Sequence, residues 1–141
     1  MKFKIKPVAV ATQAMLLSIF VLEAAEKWHA GGAPQWFGEG FASTWVARLP
    51  GGLDFSWFLI AIVETAIAAG AAISLVRGEW HGKKRHDILR ATLFVALLLF
   101  VMLGFGGRIS GRFDIAAHAF AYFSGFLLAF HILDKDPGRA K

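Results

Sequence analysis

The sequence predicts an all-α protein, a polytopic membrane four-helix bundle with a short interfacial helix in its first outer loop. Three observations carry that reading. Hydrophobic residues make up 57% of 141 residues and charged residues only 18%, with 14 Phe and 5 Trp. An ordinary soluble domain is about half apolar and a quarter charged. Second, four apolar stretches of about the length needed to cross a bilayer occur, at about 8–25, 55–76, 88–105 and 115–133. Third, Lys and Arg are distributed unevenly among the segments that join them. The length suits a single transmembrane domain over 1–141, with little chain left for an extramembrane catalytic unit.

The first apolar stretch follows Lys2, Lys4, Lys6 and Pro7. A basic start before an apolar run also opens a signal peptide, but this run is long and Leu22–Glu26 lacks a small-residue cleavage site. An uncleaved first helix is therefore expected. Ala30-Gly31-Gly32-Ala33-Pro34 breaks the chain. In 35–49, Phe37, Phe41 and Trp45 recur every four residues and predict one face of a helix at the headgroup boundary, or a loop packed over the bundle mouth. Pro50-Gly51-Gly52 ends it.

The 22 residues of 55–76 contain no Lys, Arg or Pro and would span about 33 Å as a helix at 1.5 Å per residue. That matches a hydrocarbon core of about 30 Å. Glu64 interrupts the stretch near its middle, where a carboxylate costs on the order of a few kcal/mol and needs a partner, a proton or water. The next segment, RGEWHGKKRHD, reads as too polar to be buried. The third span carries Arg90 at its entry, where a long side chain snorkels to the interface. Glycines 104, 106 and 107 lead into a short loop, and the polar tail follows the fourth span.

Eleven Lys and Arg (2, 4, 6, 77, 83, 84, 85, 90, 135, 139, 141) fall at the termini and second loop, against four (27, 48, 108, 112) in the other two loops. This predicts both termini in the cytoplasm, with the protein in the inner membrane. It also explains the net charge of +5 by topology and contact with anionic lipid, not by nucleic acid. The absence of Cys excludes disulfides, thiolate metal sites and thiol relays within the chain.

Small residues predict which faces pack. Ala117, Ala121, Gly125 and Ala129, spaced by four, are the expected inward stripe of the last helix, with His118 and Tyr122 turned the same way. Ala61, Ala68 and Ala71 share a side with Glu64. Equal depth predicts a Glu64–Tyr122 hydrogen bond deep in the bundle and a Glu23–His118 pair nearer the outer surface, with Lys27, Trp28 and His29 above. The expected result is an outward-opening polar funnel of Glu23, His118, His29, Arg108 and Asp114, with Glu64 at its base.

Such a funnel would serve as a proton path or hold the head group of a quinone-like molecule. The alternative is a Glu64 that only hydrogen-bonds between helices. His118 and His131 lie thirteen residues apart on one span, on different faces, and no other span contains His, so haem b is not expected. Glu26-Lys27-Trp28-His29 is a single Glu-x-x-His where a carboxylate-bridged metal pair needs two, so no metal is expected either. Nor does any nucleotide fingerprint or covalent-cofactor motif occur.

The order of pieces resembles the DoxX-like (DoxX, DoxD and MauE-type) four-helix membrane proteins. An apolar helix ends in Glu23–Trp28 (EAAEKW), an aromatic stretch follows at Trp36–Pro50, and the second span carries Val-Glu before small residues in Phe58–Val76. The chain departs from that pattern in having Gln13 where an Arg is common, and Leu75-Val76-Arg77-Gly78 where a Leu-Gly-Leu turn is common. The resemblance carries over to Lys27 and Glu64. It implies an auxiliary subunit of a quinone-linked membrane redox system, with a redox partner protein; a homo-oligomer in the membrane is a separate expectation. A non-catalytic assembly protein and a small oligomeric transporter are the alternative expectations.

Overall fold

The computed structural model describes residues 5–82 and 84–135. Lys2, Lys4 and Lys83, and the tail from 136 onward with Arg139 and Lys141, lie outside the described residues. Five α-helices account for most of the rest: α1 (Pro7–Ala30), α2 (Gln35–Phe41), α3 (Gly52–Val76), α4 (Asp87–Ile109) and α5 (Phe113–Asp134), with a 3₁₀ turn at Trp45–Arg48. Four of these, α1, α3, α4 and α5, are long and apolar enough to cross a membrane.

Each long helix runs past the apolar stretch that announced it, because polar residues at a helix end keep their backbone bonds while their side chains reach the interface. Pro7 starts α1 with its ring-fixed φ, and Gly31 stops it at φ 70°, a left-handed conformation that disfavours a side chain. The predicted helix at 35–49 is broken. It ends at Phe41, the Thr44 hydroxyl caps the Phe41 carbonyl at 2.7 Å, and the 3₁₀ turn follows.

The helices pack in the order α1, α3, α4, α5, with α1 and α5 touching only lightly. Leu16 and Phe20 of α1, Ile67 of α3, Leu93 and Ala96 of α4 and Phe126 of α5 fill the centre. Phe100 is its hub, with ring centroids 5.6 Å from Phe20 and 5.7 Å from Phe126. Lipid tails are as apolar as these side chains, so dispersion and interhelical hydrogen bonds hold the bundle together.

The small-residue stripe of the last helix faces the opposite way from expectation. Ala117, Ala121 and Gly125 are exposed, and α5 buries Ala119, Phe126 and Leu133 instead. Close approach is made elsewhere. A Cβ on Gly107 would lie 2.8 Å from the Ala116 nitrogen and 2.9 Å from the Arg112 oxygen. The α4–α5 turn therefore closes on glycine, and α4 continues through 104–107 to Ile109.

The segment after α3 also differs, since Glu79 and His86 are buried. Glu79 accepts from the Ile88 and Leu89 backbone nitrogens at 3.1 and 2.8 Å, closing the start of α4. Gln13 donates to Ser74 at 2.8 Å, and Ser74 donates to Glu79 at 2.9 Å. These bonds compensate the burial of the carboxylate. Arg90 is tied by an ion pair to Asp134 at the end of α5, with Phe130 beneath it, and does not simply reach for the interface.

Candidate functional site

Glu23 and Lys27 stand one turn apart on α1, on the side facing α3, and α3 brings Glu64 to the same level. The Lys27 ammonium lies 2.9 Å from Glu23 Oε2 and 3.1 Å from Glu64 Oε1. Lys27 is 7% exposed and Glu64 2%, whereas the Glu23 side chain is half exposed. Two carboxylates thus share one cation. Trp57, two helical turns before Glu64, places its ring 5.1 Å from the same ammonium.

Two polar atoms in this cluster have no hydrogen-bond partner among the described residues: Glu64 Oε2 and Trp57 Nε1. One is an acceptor and the other a donor. Leaving either unpaired in an apolar interior costs about 1–3 kcal/mol, more for a charged group. Both residues line a cavity of about 550 Å³ in the half of the bundle that carries the first loop. That volume suits a small organic ligand.

The cavity is roofed by α2 and the 3₁₀ turn. Phe37 is buried, 5.2 Å from the Trp57 ring centroid and 4.7 Å from Phe41, and Trp36 meets Trp57 edge-on at 5.8 Å. Arg112 lies over Trp36 at 5.4 Å and donates to Asp114 at 3.0 Å. That hydrogen-bonded carboxylate raises the guanidinium pKa above its ordinary value. The first loop is therefore a lid on the bundle mouth as well as a helical segment.

Of the sequence-predicted residues, Glu64, Lys27, Glu23, His118 and Tyr122 line the cavity. His29 and Arg108 do not. His29 is exposed at the end of α1, and Arg108 stacks its guanidinium over Phe113 at 4.7 Å. Asp114 is held by Arg112, outside the funnel. The two predicted pairings are absent. Glu64 turns to Lys27 and not to Tyr122, whose ring stacks on Phe100 at 5.5 Å. Glu23 also turns to Lys27, and the His118 ring has no hydrogen-bond partner among the described residues. The reason is the i,i+4 spacing of Glu23 and Lys27, which places the lysine between both acids.

Trp57 was not singled out from the sequence, although its position seven residues before Glu64 puts both on one helix face. Phe100 had no comparable signal. Among the described residues, no three His, Asp or Glu side chains come together as a metal site. Compared with protein-family models, with curated proteins and with solved structures, the chain matches none.

Proposed function

We propose that this protein is an auxiliary subunit of a quinone-linked redox system in the inner membrane, and that its cavity holds the head group of a quinone-like ligand. The observation that supports this best is the pair of unpartnered atoms in an aromatic-walled cavity. Glu64 Oε2 would accept a hydrogen bond from a ring hydroxyl, and Trp57 Nε1 would donate to a ring oxygen. Lys27 holds Glu64 in position through Oε1 and leaves Oε2 for the ligand. Phe37 and Phe100 supply flat apolar walls for a ring. The likeness to DoxX-like proteins points the same way, and the Lys and Arg distribution favours both termini in the cytoplasm.

The test is calorimetric titration of the protein, purified in mild detergent, with a tailless benzoquinol and its quinone. The quinol should bind more tightly, and Glu64→Gln should remove that preference while the protein stays folded. Absence of binding by both, or an unchanged preference in the variant, would count against the reading.

The Lys27–Glu64 ion pair also supports a second reading, in which the cluster only fastens α1 to α3. That reading expects Glu64→Gln to alter unfolding and leave every ligand titration flat.

A further inference from the structure

The two sides of the cavity differ in chemistry. Glu23, Lys27 and His118 stand on the α1 and α5 side, whereas the wall between α3 and α4 consists of Leu59, Ile60, Met102 and Phe105. Leu59 is 44% exposed and Met102 41%, so each is both cavity wall and outer surface of the bundle. On this side the cavity is therefore walled by residues that also face outward.

The packing of α3 on α4 sets the level of this wall. Nearer the termini the two helices meet tightly, since a Cβ on Gly70 would clash with the Thr92 hydroxyl oxygen. Moving eleven residues back along α3 from Gly70 reaches Leu59, and ten forward along antiparallel α4 from Thr92 reaches Met102. Both steps are about 15 Å at 1.5 Å per residue, so Leu59 and Met102 lie at about one level on neighbouring helices, and both line the cavity. Leu59 lies seven residues, or about 10 Å, inside the start of α3. That depth falls within the acyl chains of a bilayer and below its headgroups.

We infer that the ligand carries one long apolar tail, which leaves the protein between α3 and α4, past Leu59 and Met102, into the bilayer. This rests on the head-group reading above. The opposite rim suits a tail poorly, because Glu23 is charged and half exposed there.

The experiment compares a tailless benzoquinol with its decyl-tailed form on the full chain in mild detergent. Variants are Leu59→Trp and Met102→Trp, which narrow the exit. Leu98→Trp is the control, since Leu98 is 55% exposed on α4 but does not line the cavity. In the wild type and the control the tail should improve affinity by about tenfold or more. In the two exit variants the ratio of tailed to tailless affinity, both measured in the same variant, should fall to about threefold or less. A tail gain that persists in both exit variants overturns the proposal and leaves the head-group reading standing. Failure of the tailless ring to bind the wild type overturns both. Because a variant can misfold, a decyl tail ending in a diazirine is also photolysed in the wild type. Labelling of α3 and α4 around 59 and 102 supports the exit, and labelling of the Glu23–Tyr122 rim overturns it.

Discussion

Lys27 of α1 reaches Glu64 of α3 at 3.1 Å while holding Glu23 at 2.9 Å, so a single buried ammonium neutralises the deeper of two acids and shares the other. The arrangement is asymmetric. Without Glu64, Lys27 keeps Glu23. Without Lys27, Glu64 has no ion-pair partner among the described residues.

Lys27→Met should therefore cost about 3 kcal/mol or more, the range for a buried charge stripped of its partner. Glu64→Gln should cost distinctly less. Adding Glu64→Leu to Lys27→Met should recover much of the loss. Thermal unfolding in detergent would check the order, and equal losses for the two single variants would contradict it.

Trp57→Phe keeps the ring that packs on Phe37 and Trp36 and removes only the Nε1 donor. Stability should change little, and binding of a benzoquinone should weaken by roughly three- to tenfold, the loss expected for one neutral hydrogen bond. Calorimetric affinity at constant unfolding temperature is the measurement.

Gly107→Ala should destabilise by about 1–3 kcal/mol, because the new methyl meets backbone atoms of Ala116 and Arg112 that cannot rotate away. Gly125→Ala should be neutral or stabilising by up to about 1 kcal/mol, since nothing lies within 4 Å of its added carbon. Unfolding temperatures of the two variants should move in opposite directions or differ clearly in size.

Glu79→Ala removes the acceptor for Ile88 N, Leu89 N and the Ser74 hydroxyl. A loss of about 2 kcal/mol is expected for a buried cap of this kind. Ring binding in the cavity, at the other end of the bundle, should be unchanged in the protein that remains folded.

Four helices long and apolar enough to cross a membrane, the break at Gly31 and the place of Glu64 midway along the second of them were legible in the chain because they depend on local quantities, apolar length and φ freedom. Polar residues of RGEWHGKKRHD misled, because burial of Glu79 depends on backbone donors nine and ten residues ahead and on a serine five behind. The Ala117–Gly125 stripe misled too, since small size permits close approach without saying which neighbour makes it.

From its sequence alone the chain determined a bundle of four helices long and apolar enough to cross a membrane, with an acid midway along the second. Only the tertiary structure decided that Lys27, and not Tyr122, answers that acid, and that Trp57 and a free carboxylate oxygen face one cavity. Rotation of each helix about its own axis sets those partners. In lipid, where every apolar face is equally content, that rotation is chosen by interhelical packing and hydrogen bonds that composition does not reveal.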